Sequence, residues 1–193
     1  MKSIAIFCAS AIGNKPIYAE SARETGKILA EKGIRVVFGG SKLGLMGAVA
    51  NGALDAGGEV IGVLPDFMER KEVRHDSLTE LIMVESMHHR KLKMHELSDG
   101  VIALPGGFGT FEELFELLTW SQLGLHNKPI GILNVDGYYD KLIEMFDHMC
   151  DAGLLKETYR DMIASSDKLH NLLAEMMDYQ APPSALTMLE DQT

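Results

Sequence analysis

Glu113 closes a run, Leu104-Pro105-Gly106-Gly107-Phe108-Gly109-Thr110-Phe111-Glu112-Glu113, that pairs a glycine-rich loop with two carboxylates. Glycines at 106, 107 and 109 let the backbone take positive φ and approach a ligand with no Cβ in the way. Thr110 falls where a helix is expected to start, and the free N–H groups of such an end form an anion site. A strand, a glycine loop and a helix N-terminus together point to a bound phosphate. The plainer alternative is a packing turn, since such turns are common in α/β proteins. Glu113 also has two readings. Thr110-Phe111-Glu112-Glu113 fits a capping box, with Thr110 as cap and Glu113 reaching back to the cap residue's N–H. Alternatively, the carboxylate has a chemical role beside the phosphate, where a nearby cation would offset its charge. Spacing alone leaves both open.

What the loop lacks narrows its ligand. No Gly-Lys-Ser/Thr closes it, so it is not a Walker A loop. It is not G-x-G-x-x-G either, and no acidic residue ends a following strand to take a dinucleotide ribose. A second glycine loop, Gly39-Gly40-Ser41-Lys42-Leu43-Gly44, misses both patterns as well. Two such loops favour one phosphate-bearing ligand held from two sides over ATP or NAD, and no cofactor is implied.

Ser86-Met87-His88-His89-Arg90-Lys91 opens the helix before the key strand. Arg90 can fork onto a phosphate or carboxylate, and Lys91 is a mobile point charge. The competing reading is a solvated basic face. Histidines 88, 89 and 95 raise a metal hypothesis, but no His-Glu-x-x-His is present and no pair has close zinc spacing. Surface histidines and no metal site are therefore expected. Many of the 12 methionines, among them Met83, Met87, Met94, Met145, Met149, Met162, Met176 and Met177, read as packing rather than as a binding groove.

The elements that must position these residues alternate along the chain. Apolar runs predict strands over 3–8, 34–38, 60–64, 81–85, 101–104, 130–134 and 162–165. Helical spacing predicts helices over 16–32, 43–57, 86–98, 110–124, 138–152 and 167–178. Pro16 suits a first helical turn, and Gly33 and Gly57 suit C-terminal caps. The fold class expected is α/β, a doubly wound, Rossmann-like parallel sheet with helices on both faces. Ligands in that architecture lie outside the carboxyl ends of the strands. Ser10, the 39–44 loop with Gly40, Pro65 and the 105–110 loop all follow strands and would converge there. The charged stretch 66–80 breaks the alternation and is either a cover or a solvated connection. A single domain over 1–180 with a loose tail over 181–193 is expected.

Composition sets the outer bounds. The 193 residues are 46% hydrophobic and 24% charged, which suits one soluble globular domain. A net charge of −10 argues against nucleic acid or an anionic membrane as partner, since both need basic surface. Two cysteines, Cys8 and Cys150, make no disulfide framework or zinc cluster and read as apolar fillers. No run approaches the roughly 18 apolar residues of a membrane span. A cytoplasmic location is expected.

Pro105-Gly106-Gly107-Phe108-Gly109-Thr110-Phe111-Glu112-Glu113 resembles the P-G-G-x-G-T-x-x-E motif of the LOG (Lonely Guy) family of cytokinin riboside 5′-monophosphate phosphoribohydrolases. Met87-His88-His89-Arg90-Lys91 matches the family's M-H-x-R-K. Gly44-Leu45-Met46-Gly47, Trp120-Ser121-Gln122-Leu123-Gly124 and Lys128-Pro129-Ile130-Gly131-Ile132-Leu133-Asn134 extend the resemblance to about residue 178. It implies a doubly wound homodimer that hydrolyses the N-glycosidic bond of a nucleoside 5′-monophosphate to a free base and ribose 5-phosphate. It puts catalysis on Arg90 and Glu113, and nucleotide binding on Lys91 and the loop Gly106, Gly107, Phe108, Gly109 and Thr110. Glu72 and Thr119 lie where family members also touch substrate. Glu112, Met87, Ser10 and Gly40 complete the expected binding set.

Two positions depart from the family pattern. Ala9 stands in the usual Cys-Gly-Ser, and Ser41 replaces a third glycine; both lie at the ligand edge and bear on substrate preference. Similar sequences have often been labelled lysine decarboxylases, yet nothing here suggests a pyridoxal phosphate site. The runner-up function is a nucleotide carrier or sensor without turnover. A carrier needs the 106–110 loop but not Glu113, and the Arg90 and Glu113 pair favours the enzyme. DNA binding through the sheet is the third reading, weakened by the acidic composition.

Overall fold

The computed structural model describes residues 1–69 and 74–183. The apolar runs form β1 (Ser3–Phe7), β2 (Arg35–Phe38), β3 (Val60–Pro65), β4 (Glu80–Val84), β5 (Gly100–Ala103), β6 (Ile130–Leu133) and β7 (Ile163–Ser166). Between them lie α1 (Pro16–Glu31), α2 (Gly44–Asp55), α3 (Met87–Glu96), α4 (Phe108–Gln122), α5 (Asp140–Asp151), α6 (Glu157–Arg160) and α7 (Leu169–Asp178). Every strand pairing is parallel, in the order β4-β3-β2-β1-β5-β6-β7.

Strand alternation sorts the core into two layers. Ile4, Ile6, Val36, Phe38 and Ile102 meet Ala22 and Leu29 of α1, Val49 and Ala53 of α2, and Leu172 and Met176 of α7. Ala5, Phe7, Val37, Val63, Val101 and Ala103 face Met94 of α3, Leu114 and Leu117 of α4, and Phe146 of α5. Helices thus cover both faces, which is why the strands are apolar throughout rather than alternating.

The chain runs outward from β1 to β4 and then returns to β5 on the other side of β1. Connections on the two sides of this reversal diverge, so a crevice opens beyond the carboxyl ends of β1 and β5. The loops that follow those strands are the ones carrying Ser10 and the glycines.

Most predicted boundaries stand within a few residues. Pro16 occupies the first turn of α1, and Gly33 and Gly57 take φ of 68° and 76° after their helices. Three local features differ. Helix α4 begins at Phe108, two residues earlier than expected, with Gly107 as its cap residue. A short helix, α6, and a 3-10 turn at Asp66–Met68 had no periodic signal long enough to read. The described residues of the stretch 66–80 are mostly exposed, but Met68 lines the cavity beyond the sheet and His75 is anchored. His75 is buried, its N–H donates to Gly40 C=O at 3.0 Å, and its ring meets Asn51 Oδ1 at 3.0 Å. The expected tail lies largely outside the described residues, which end at 183.

Candidate active site

A cavity of about 360 Å³ occupies the crevice. Cys8, Ala9, Ser10 and Ala11 wall it from the β1 loop, Gly39 from the β2 loop, and Gly107 to Thr110 from the start of α4. Arg90 and Glu113 form its charged end, reaching in from α3 and α4.

Hydrogen bonds between loops hold these walls together. Ala9 N–H donates to Pro105 C=O at 3.1 Å, and Ala9 C=O accepts from Leu45 N–H at 3.0 Å. The β1 loop is therefore tied to both glycine loops at once.

Arg90 and Glu113 are only 8% and 7% exposed. Arg90 Nη1 donates to Glu113 Oε1 at 3.0 Å, and its Nε donates to Val63 C=O at 3.1 Å. Ser86 caps α3 by accepting from His89 N–H, which sets the helix entry that aims Arg90 inward. A buried carboxylate disfavours its charged form, so burial raises the Glu113 pKa above the usual glutamate range, while Arg90 pulls against that shift. The capping-box reading is corrected here. Thr110 sits inside the first turn of α4 rather than at its cap, so Glu113 lies in the second turn and pairs with Arg90.

Close packing leaves no room for a side chain under the guanidinium. A Cβ on Gly39 would lie 1.8 Å from Arg90 Nη2. Gly39→Ala is therefore expected to cost about 1–3 kcal/mol by overpacking, read from urea unfolding. A variant as stable as the parent, with Arg90 still bonded to Glu113, would contradict this packing account.

The reading of Arg90 and Lys91 as a solvated basic face is also overturned, since both are buried. Lys91 Nζ pairs with Glu112 and lies 2.9 Å from Glu116 Oε2. Burial works against its charge, but the Glu112 hydrogen bond and the Glu116 carboxylate beside it carry its pKa above the ordinary lysine range. Lys91 and Glu112 do not line the cavity.

The first turn of α4 also supplies N–H groups to the cavity. The Phe111 N–H is the first to reach back, to Gly107 C=O at 3.1 Å, leaving Phe108, Gly109 and Thr110 in the turn without intrahelical partners. Gly106 permits this turn because Thr110 packs onto it; a Cβ there would meet Thr110 Oγ1 at 2.0 Å. Phe108 projects its ring outward, 96% exposed at the rim.

Of the residues expected at the site, the crevice brings together Ser10, Met87, Arg90, Gly107, Phe108, Gly109, Thr110 and Glu113. Gly40 sits one residue from the lining, and Gly106 supports it from behind. Thr119 lies on an exposed face of α4, its hydroxyl donating to Phe115 C=O, outside the lining. Glu72 falls outside the described residues. Sequence reasoning missed Cys8, Gly39, Met46, Met68 and Met94 as lining. Met46, Met68, Met87 and Met94 form much of the apolar wall, so these methionines are not mere packing. Their positions next to the glycine loops and the Arg90 helix were the available signal. Met145 and Met177, read as core, are exposed at 49% and 55%. Burial, with the nearby Glu113 charge, pushes the Cys8 thiol well up, making it a neutral wall rather than a nucleophile.

His88 and His89 are exposed, whereas His95 is half-buried. Its ring packs edge-on against Trp120 at 5.7 Å and beside His126 at 4.8 Å, and burial lowers its pKa to about 4. Among the described residues, no three His, Cys, Asp or Glu side chains are placed to hold a metal ion.

Comparison with known proteins adds three findings. Residues 46–176 match the family described as "Possible lysine decarboxylase". The chain is 46% identical over 176 residues to "Probable cytokinin riboside 5′-monophosphate phosphoribohydrolase LOGL1" of Oryza sativa subsp. japonica, covering 91% of this chain and 79% of that protein. It is 43% identical over 178 residues to "Cytokinin riboside 5′-monophosphate phosphoribohydrolase LOG2" of Arabidopsis thaliana, covering 92% and 84%. Among solved structures, the Moco carrier protein of Chlamydomonas reinhardtii superposes with a TM-score of 0.66 at 23% identity, covering 99% of this chain and 98% of that one. The molybdenum cofactor binding protein of Rippkaea orientalis gives 0.65 at 22% identity, covering 89% and 91%. These two similarities are of fold.

Proposed function

This chain belongs to the family of cytokinin riboside 5′-monophosphate phosphoribohydrolases, and on that ground we propose that it hydrolyses the N-glycosidic bond of a nucleoside 5′-monophosphate, AMP or an N6-modified AMP. The C1′–N bond of the nucleotide breaks, water supplies the oxygen that bonds to C1′, and a proton goes to the base nitrogen. The products are free base and ribose 5-phosphate. The observation that carries this reading is the buried Arg90–Glu113 pair lining the same cavity as the first turn of α4, whose N–H groups have no intrahelical partners.

The 5′-phosphate docks on the N–H groups of Gly107 to Thr110, where the α4 dipole favours an anion. Binding this remote group orients the ribose for reaction. As the bond breaks, positive charge builds on the anomeric carbon and ring oxygen, as in glycosidases. Glu113 offsets that charge and holds ribose hydroxyls. The Arg90 guanidinium is not a proton shuttle. It fixes Glu113 and stabilises charge leaving on the base. Met46, Met68, Met87 and Met94 offer the base a soft, polarizable apolar wall. Lys91 anchors α4 through Glu112 and Glu116, keeping the phosphate turn in register with α3.

The decarboxylase description suits this cavity less well. Among the described residues its lining offers backbone N–H donors and the Ser10 hydroxyl, and its one carboxylate, Glu113, is already paired with an arginine, so it favours an anion over a dibasic amino acid. The carrier reading leaves the buried Arg90–Glu113 pair without a task.

The same proposal includes a cytoplasmic homodimer. Two free cysteines suit a reducing compartment, and exposed Leu92, Leu123 and Leu125 offer apolar surface to a second copy. Light scattering of the pure chain at micromolar concentration reads the assembly.

Incubating the protein with nucleoside monophosphates and the matching nucleosides tests the activity. Base release is expected from the monophosphates, with kcat/KM at least about 10²-fold lower for the nucleosides, because the phosphate contacts orient the reacting sugar. Equal rates on both would remove the glycine turn as anchor.

A further inference from the structure

We infer that Tyr138 is a positioning residue for the phosphate turn, acting through the carbonyl of Gly106 on the N–H of Gly107. The inference rests on the reading above, that a phosphate docks at this turn.

Three consecutive carbonyls leading into the turn are each held by a donor from another element. Tyr139 Oη donates to Leu104 C=O at 2.6 Å. Ala9 N–H donates to Pro105 C=O at 3.1 Å. Tyr138 Oη donates to Gly106 C=O at 2.6 Å. The third bond differs in consequence from the first. A trans peptide is planar, with its C=O and N–H pointing in opposite directions. Drawing Gly106 C=O toward Tyr138 therefore turns the Gly107 N–H the other way, and Gly107 lines the cavity. A hydrogen bond accepted by a carbonyl also polarises the N–H of the same peptide, making it a stronger donor. The Leu104–Pro105 peptide has no N–H to orient, so Tyr139 can only anchor the strand end.

Tyr138 is itself fixed on several sides. Its ring meets Tyr18 of α1 edge-on at 5.8 Å and Tyr139 at 5.0 Å. Its N–H donates to Val135 C=O at 3.0 Å, closing a turn in which Asp136 takes a left-handed φ of 53°. The Asp136 carboxylate pairs with Lys15, and Asn134 Oδ1 accepts from Tyr139 N–H at 2.7 Å. A free Gly107 peptide would lose freedom on binding phosphate; here much of that ordering is complete beforehand, which favours affinity rather than the chemical step.

Paired variants separate orientation from anchoring. Tyr138→Phe keeps both ring contacts and removes only the hydroxyl. Its KM for AMP should rise about 5–10-fold with kcat within about twofold, the pattern of lost ground-state and transition-state binding alike. Its thermal midpoint should move little. Tyr139→Phe should lower the midpoint, because it orphans the buried Leu104 carbonyl, while its KM stays within about twofold. Unchanged KM in Tyr138→Phe, or equal KM rises in both variants, overturns the inference.

An amide NMR titration with inorganic phosphate reads the turn without turnover. The Gly107 N–H resonance should shift in the parent and shift less in Tyr138→Phe. A parent that binds phosphate at Gly107 in this way yet releases no base from AMP sinks the hydrolase reading and supports the positioning one. A parent active on AMP whose Gly107 amide responds identically in Tyr138→Phe sinks the positioning role alone.

Discussion

Glu113→Gln is expected to lower turnover of AMP by at least about 10²-fold, the range seen when one preorganised electrostatic contact to a transition state is lost. The change keeps shape and leaves an oxygen to accept from Arg90, but removes the charge that offsets a cationic ribose. Nucleotide binding should stay measurable, because the phosphate contacts are backbone N–H groups of the first turn of α4, which the substitution leaves in place. Near-normal adenine release by this variant would reject the carboxylate's role.

The pH profile provides a second readout of the same group. Burial raises the Glu113 pKa above the usual glutamate range, against the opposing pull of Arg90 and Lys91 and with the help of Glu112 and Glu116. Only the ionised form can offset positive charge. As pH falls through this raised pKa the ionised fraction is lost, so kcat/KM should decline at a higher pH than an ordinary glutamate would dictate. The residual rate of Glu113→Gln should be flat over that interval. An acid limb at or below the ordinary glutamate range, or one that survives in the glutamine variant, would assign the titration elsewhere.

Arg90→Ala should damage both stability and function. It strands a buried carboxylate and the Val63 carbonyl, and breaking one partner of such a pair costs about 3–5 kcal/mol. Losing the cation also lets burial raise the Glu113 pKa further. Turnover and AMP affinity are both expected to fall. Arg90→Lys tests whether charge alone suffices. A lysine restores a positive charge but cannot present one fork to Val63 C=O and Glu113 together, so it should recover stability better than turnover. Full recovery of both by lysine, or an alanine variant with unchanged rate and affinity, would remove the guanidinium from the mechanism.

The neighbouring solved structures share the doubly wound course at 22–23% identity, and a shared fold does not fix what a site does. What makes the enzymatic reading specific is therefore the side-chain pair rather than the glycine turn.

The amino-acid sequence alone determined the alternation of strands and helices, the glycine loops at strand ends and the identity of Arg90 and Glu113 as candidates. Those features rest on spacing between chain neighbours, where a period of two or 3.6 residues and the backbone freedom of glycine act locally. Tertiary structure decided what the candidates touch. Arg90 bonds to groups 27 and 23 residues away, and Tyr138 reaches a carbonyl 32 residues away. Those contacts exist because β5 pairs with β1 rather than β4, a choice no local window encodes. The same reversal drew Cys8, Gly39 and four methionines into the wall and left Thr119 on an outer face. It also removed the capping-box reading of Glu113: with Gly107 taking the cap, the carboxylate lies in the second turn, where Arg90 Nη1 donates to it.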